Sequence, residues 1–273
     1  LCLTCGVDTQ DNRLEYEVVG YGRDRETWGI EKGFIMGKPL EDDVWERLDG
    51  IIDRTWKFKN GKGLKISVTF VDSGGHYYEG TTDITRTFIL GEITEEMRQH
   101  FTLVARAVMR LKSLRFLKGC RGTNLDLAAR EVFWQQGLDY KHGTGHGVGN
   151  ILNVHEGPQS FRWKLLPDAG KPAVFEEGMI TSDEPGIYLE NQYGIRIENE
   201  ILCRKGEENE YGQFMYFEDL TFVPIDLDGV ELGQMSELDK ERLNEYHAAV
   251  FEKLEPYFEG EELTWLRHVT RAV

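Results

Sequence analysis

Apolar residues change their spacing several times along this chain, and each change marks a different element. From Leu3 to Met36 the alternation is in twos: Leu14, Tyr16 and Val18 are interleaved with charged residues, and Thr27, Trp28 and Ile30 resume the pattern after a glycine-rich turn. A period of two is that of a strand with one buried face, so a three-stranded meander is expected, ended by Gly33, Gly37 and Pro39. Apolar residues at 44, 45, 48, 51, 52 and 56 then follow helical spacing. Asn60, Gly61 and Gly63 make a turn, and Ile66 to Val71 reads as a buried strand. The opening 71 residues thus read as β-β-β-α-β.

Beyond Val71 the organisation differs. Asp72 to Asp83, with Gly74, Gly75 and Gly80, reads as the turn of a long hairpin. Thr94 can cap a helix whose first turn is acidic (Glu95, Glu96) and whose buried stripe is Met97, Phe101, Val104, Val108 and Leu111. A second helix is expected from Asn124 to Gln136, closed by Gly137. Short strands and glycine-rich turns follow, with a second hairpin from Ile180 to Ile201 turning at Asn191–Gly194. A helical tail is expected from about 207 to 273, with Leu243, Tyr246, Val250 and Leu254 along one side of Met235–Phe258. There are no repeats at solenoid periods.

Composition narrows the function. The formal net charge is −16, and residues 1–71 hold 11 Lys and Arg against 13 Asp and Glu, so nearly all of the charge lies downstream. Such a chain repels phosphate backbones, which makes nucleic acid an unlikely partner. No stretch approaches the roughly 20 apolar residues that span a bilayer, so no membrane role is expected. The chain opens on Leu1 rather than Met, as a fragment does, and shows no cationic leader. Its four cysteines are sparse, which fits a reducing compartment, the cytoplasm. Cys2 and Cys5 form a C-x-x-C with no second pair to complete a zinc site. His76 and His100 read as surface or turn residues, and Trp134, Trp163 and Trp265 as core or interface.

Candidate chemistry sits in the acidic part. Asp72 and Asp83 flank one turn and Glu184 and Glu198 another, so two antiparallel hairpins can aim four carboxylates into one cleft. His146 lies in His-Gly-Thr-Gly-His-Gly-Val-Gly, whose glycines allow close backbone approach. Converging carboxylates repel unless cations neutralise them. Two divalent metal ions would do so. Mostly oxygen ligands with one imidazole favour Mn²⁺, with Co²⁺ or Zn²⁺ as alternatives.

Four motifs then carry a resemblance. Asp-Ser-Gly-Gly-x-Tyr-x-x-Gly-Thr-Thr-Asp-Ile-Thr-Arg-Thr from Asp72, the glycine-rich run from His142, Ser-Asp-Glu-Pro-Gly from Ser182 and Gly-Ile-Arg-Ile-Glu-Asn from Gly194 together resemble aminopeptidase P. Leu-Asp-Leu-Ala-Ala-Arg at 125–130 and the tail around Asn244–His247 extend the resemblance over 72–273. It implies an α+β pita-bread fold and removal of an N-terminal residue preceding proline. It further implies that Asp72, His146 and Glu184 hold single metals while Asp83 and Glu198 bridge them. Glu184 would shuttle a proton, His142 and His155 would bond substrate near the scissile carbonyl, and Arg196 would brace the carboxylates. The family often forms homodimers through its C-terminal portion. Prolidase, which takes Xaa-Pro dipeptides, is the related alternative.

Residues 1–71 do not fit that family, whose domain begins earlier and supplies another histidine; here those residues contain none. Leu-Thr-Cys-Gly-Val-Asp-Thr-Gln-Asp-Asn-Arg-Leu-Glu from Leu3, with Asp72-Ser-Gly-Gly-His, is instead similar to the nuclease region of the phage terminase large subunit. That implies an RNase-H-like segment, with Asp8 and Asp72 matching two nuclease metal ligands. A pita-bread domain incomplete at its N-terminal side would then follow this segment from residue 72, and the remaining alternatives are a nuclease fragment or an inactive chimera.

Overall fold

The computed structural model describes residues 2–10, 12–22, 27–39, 41–57, 61–78, 80–150, 153–165, 172–190 and 192–273. Asn60 and Asn191, assigned above to turns, lie outside the described residues.

The expected meander is present as β1 (Cys2–Gln10), β2 (Arg13–Tyr21) and β3 (Thr27–Met36), followed by α1 (Asp42–Ile52). The helix stops before Trp56, which instead joins a short ribbon of β4 (Trp56–Lys57) and β5 (Gly63–Leu64). β6 (Ile66–His76) and β7 (Thr81–Ile89) form the first long hairpin. These make one five-stranded sheet in the order β3-β2-β1-β6-β7, with β1 parallel to β6. This is the β-β-β-α-β arrangement read from the sequence. The junction expected at 71/72 falls inside β6, so one strand carries the end of the first segment and the first acid of the second. Leu3, Cys5, Val7, Leu14, Val18 and Ile35 cover α1 residues Val44, Leu48 and Ile51.

α2 (Glu95–Lys112) begins at Thr94, whose side chain accepts from the Met97 amide. The predicted stripe is buried, and so are Ala105, Ala107 and Met109 on other sides, because the helix packs against several elements. His100 is buried with it and meets the Tyr193 hydroxyl at 2.7 Å, correcting its assignment to the surface. β8 (Arg115–Leu117) follows. The single helix expected at 124–136 is divided into α3 (Gly122–Leu125) and α4 (Leu127–Trp134), and Gly137 ends it with φ +70. β9 (Gly145–Val148) and β10 (His155–Phe161) lead to the second hairpin.

That hairpin is broken in both arms. β11 (Ile180–Asp183) pairs with β14 (Asn199–Asn209), and β12 (Gly186–Leu189) pairs with β13 (Tyr193–Arg196). Pro185, which lacks an amide donor, sits at the break in the first arm and Ile197–Glu198 in the second. β15 (Gly212–Asp219) completes a six-stranded sheet, β10-β9-β11-β14-β15-β8. Residues 199–219 are therefore a β-hairpin, and the helical tail starts later than 207, as α5 (Glu237–Leu254) and α6 (Gly260–Val269). Phe116, Phe161, Phe175 and Phe217 pack together beside this sheet in the larger core. Trp134, Trp163 and Trp265 are exposed, not core, and the first two meet edge to face. Among the described residues, no helix is long and apolar enough to cross a membrane.

Candidate metal centre

Strand register decides which side chains meet. Across β6 and β7, Asp72 pairs with Thr85 and Gly74 with Asp83. Residues two apart on a strand share a face, so Asp72, Asp83 and Thr85 project together. β7 then bridges to the broken hairpin: Thr85 pairs with Glu198, whose amide donates to the Thr85 carbonyl at 3.0 Å. This cross-strand contact brings the first pair of acids to the second.

His146 arrives on β9, wedged between β10 and β11. A Cβ at Gly145 would run into the Ser182 carbonyl and one at Gly147 into that of Glu156, so only glycine lets three backbones pack this closely. The loop before it is locked by the Leu-Asp-Leu-Ala-Ala-Arg segment. Buried Arg130 donates to Asp126 at 2.7 Å, to Asp139 at 2.6 Å and to the carbonyls of Tyr140 and His142, each at 2.8 Å. Arg86 performs a similar task on the other side, donating to the Glu198 carbonyl, Asn199, the Val223 carbonyl and Tyr246.

Ligand-capable atoms of Asp83, His146 and Glu198 lie within 4.8 Å of one another. Glu184 joins them, its Oε1 3.5 Å from His146 Nε2, while Asp83 Oδ2 is 3.2 Å from the same nitrogen. His146 Nδ1 faces the Gly147 carbonyl at 3.0 Å, which assigns the proton there and turns Nε2 toward the carboxylates. Asp72 stands one step back: its carboxylate lies 3.1 Å from the Thr85 hydroxyl and pairs with Arg196 at 3.1 Å. The Thr85 hydroxyl also meets Glu198 at 2.5 Å. Arg196 braces three groups, with its Nε 3.1 Å from the Thr85 hydroxyl and 3.7 Å from Glu198.

Electrostatics show what this cluster lacks. Burial pushes Glu198 well above the ordinary carboxylate range, and Glu184 and Asp83 push it further. Burial also raises Asp72 and Glu184. Burial pulls the His146 imidazole down, but hydrogen bonding to Asp83 and the charge of Glu184 outweigh it and raise its pKa. Packed carboxylates that resist ionisation are what a divalent cation would relieve, so the donor set fits a metal.

Sequence reasoning missed three participants. Tyr188 places its hydroxyl 3.1 Å from His142 Nε2. Because His142 Nδ1 faces the Gly143 carbonyl at 2.7 Å, Nε2 is the acceptor from that hydroxyl, and burial lowers the ring's pKa. Glu200, buried beside Asp83, is raised by burial to about 7. Thr85 lies inside the motif from Asp72, where the sequence assigns it no role. His155 lies exposed on β10, edge-on to His146 at 4.1 Å between ring centres. Asp8 sits outside the cluster, in register with Asp72 across β1 and β6.

Comparison with known proteins bears on the whole arrangement. The model of metallopeptidase family M24 matches residues 55–205, and that of the C-terminal region of peptidase M24 matches 213–273. The endonuclease domain of terminase large subunit gpA matches residues 1–103. A probable Xaa-Pro aminopeptidase P of Pyrenophora tritici-repentis is 42% identical over 209 residues, covering 75% of this chain and 35% of that one. Another from Talaromyces marneffei is 42% identical over 210 residues, covering 75% of this chain and 32% of the relative. The chain thus spans about a third of the length of these relatives. Among solved structures, the cytosolic X-prolyl aminopeptidase of Caenorhabditis elegans, described as having a di-nuclear active site, aligns with TM-score 0.69 and 35% identity over 79% of this chain and 35% of that one. The pita-bread expectation is borne out by that likeness.

Proposed function

Because the chain belongs to metallopeptidase family M24, we propose that it hydrolyses the Xaa-Pro bond at the amino terminus of peptides, at a centre formed by Asp72, Asp83, His146, Glu184 and Glu198. The observation that carries this reading is the convergence of Asp83, His146 and Glu198 within 4.8 Å, with Glu184 3.5 Å from the imidazole, from elements far apart in sequence. Two divalent ions, Mn²⁺ by ligand type, would supply a Lewis acid and an activated water there. Glu184, oriented by the Ser182 hydroxyl at 3.2 Å, is placed to carry a proton from the attacking water to the leaving proline nitrogen. Arg196 keeps Asp72 and Glu198 oriented through its contacts at 3.1 and 3.7 Å. His155, exposed and edge-on to His146, would bond the substrate carbonyl. His142 reaches the substrate only by releasing the Tyr188 hydroxyl.

The test is cleavage of Arg-Pro-Pro by the purified chain with and without Mn²⁺. Activity that requires metal and disappears in Glu184→Gln, with an unchanged circular-dichroism spectrum, supports the proposal; metal-loaded protein that leaves the peptide intact defeats it. Comparing Xaa-Pro with Xaa-Pro-peptides separates this activity from prolidase. We also propose a homodimer through the C-terminal portion, where Tyr257 and Trp265 are exposed. Light scattering measures it. Four free cysteines support a cytoplasmic setting.

A second reading, a nuclease, is favoured by one observation: Asp8 and Asp72 stand side by side across parallel strands. Against it, the chain carries −16. It requires Mg²⁺-dependent cleavage of duplex DNA that is lost in Asp8→Ala.

A further inference from the structure

The open face of the five-stranded sheet continues from the metal centre. β1 and β6 run parallel with Asp8 beside Asp72 and Gly6 beside Phe70. Phe70 lies two residues before Asp72 and so shares its face. Above them is an open cavity of about 320 Å³ whose lining includes Gly6, Asp8, Glu17, Lys32, Phe70 and Asp72. Gly6 leaves this space clear, since a Cβ there would meet nothing within 4 Å.

The charges on this face are not equivalent. Glu15 pairs with Arg13 at 2.6 Å, and Glu17 lies opposite Lys32 in the β2–β3 register. Asp72 is committed to Thr85 and Arg196. Asp8 is exposed and accepts a hydrogen bond from the Gln10 amide, a neutral partner. The Phe70 ring already carries the Arg196 guanidinium 5.3 Å from its centre, so it offers apolar contact to a side chain's stem while the Asp8 carboxylate takes the cationic tip. Adjacent strands lie about 4.8 Å apart, so such a side chain on a backbone held near Asp72 reaches Asp8. Next to His142 the polarity reverses: Lys141, Arg162 and Lys164 line a second cavity of about 190 Å³, whose one acid, Asp139, is paired with Arg130. A free peptide is positive at its amino end and negative at its carboxyl end, so this polarity turns the amino end toward Asp8.

We propose that Asp8 is a specificity-determining residue, selecting peptides whose residue before the scissile bond is lysine or arginine. This builds on the peptidase reading, with the first segment of the chain supplying a wall of the substrate site.

The experiment compares kcat/KM for Arg-Pro-Pro and Leu-Pro-Pro in the Mn²⁺-loaded full chain and in Asp8→Asn. The wild-type chain is expected to prefer the arginine peptide roughly threefold, the scale of an exposed ion pair. That preference should vanish in Asp8→Asn and shrink at roughly 0.5 M salt, where charges are screened beyond a few ångströms. Titration calorimetry of the same two peptides reads the same ratio without turnover. Selective binding abolished by Asp8→Asn, in a chain that cleaves neither peptide, sustains the role of Asp8 while the peptidase reading fails. Equal treatment of the two peptides overturns the proposal, as does a preference that survives Asp8→Asn or binding of neither. A loss of bound Mn²⁺ in Asp8→Asn also overturns it, because Asp8 would then be a ligand.

Discussion

Thr85 shows how much of a metal centre resides in a residue that binds no metal. Its hydroxyl has one proton and faces both Glu198, at 2.5 Å, and Asp72, at 3.1 Å, while its lone pairs receive Arg196. The shorter contact assigns the proton to Glu198, the more deeply buried acid. Thr85→Val keeps the shape and strands that carboxylate. A buried acceptor left without its partner costs about 1–3 kcal/mol, so the metal-free variant should melt lower, by about 2–4 °C per kcal/mol, and its Mn²⁺ affinity measured by calorimetry should fall roughly tenfold because the carboxylate is no longer held in place. A large loss of stability with unchanged metal affinity would make Thr85 a packing residue only. The acids themselves were legible in the sequence because each lies inside a motif with its neighbours. Thr85, Tyr188 and Glu200 were not, because their importance comes from strand register and from a break in a hairpin, neither of which a residue pattern records. His100 was misread for a related reason: a histidine in a charged run looks exposed until a second element, here Tyr193, closes over it.

The elements that hold the site in place are tied together by charge as well as by apolar packing. Asp239, at the start of α5, accepts from Arg106 at 3.0 Å and from Arg110 at 2.9 Å, both on α2. Burial alone would raise its pKa, but hydrogen bonds from Arg110 and Ser236 outweigh that and hold it at about 2. An acid depressed in the folded state contributes stability above its unfolded pKa, roughly 4, and loses it as pH falls through about 2. Asp239→Asn, which removes one partner of a buried ion cluster, should therefore cost about 3 kcal/mol at neutral pH. Thermal melts across pH check it: the gap between the two proteins should close below about pH 4 and would stay constant if Asp239 acted through packing alone. α2 itself was readable in advance, since Thr94, its acidic first turn and its stripe all pointed to one start. The break between α3 and α4 was not. Asp126 lies between them with its side chain taken by Arg130, one turn on in α4, and by Thr144, from a loop 18 residues downstream. The Cys2–Cys5 pair is split by strand geometry. Three residues apart on a strand they point to opposite faces, Cys5 into the smaller core and Cys2 against the larger.

At the scale of the whole molecule, one sheet joins a terminase-like segment to a peptidase-like remainder. β6 pairs with β1 on one side and β7 on the other, so Asp72 is fixed by strands from both. The seam was visible in the sequence as two resemblances meeting at Asp-Ser-Gly-Gly. That the join would be a shared strand was not, because it depends on parallel pairing between residues about 64 apart in the chain. Four crowded carboxylates make the metal-free chain the less stable form, and binding contributes about 2.7 kcal/mol when free metal is a hundredfold above Kd. For a chain of this size that is roughly a 5–10 °C rise in Tm, measurable by scanning calorimetry with and without chelator. Chelator-insensitive melting would instead fit an inactive chimera. The most direct measurement is titration of the metal-free chain with Mn²⁺, repeated on Glu198→Ala. The account predicts two equivalents bound per chain and loss of both sites in the variant, because in the proposed assignment Glu198 would be a ligand to both ions. No binding, or binding that Glu198→Ala leaves untouched, would contradict it.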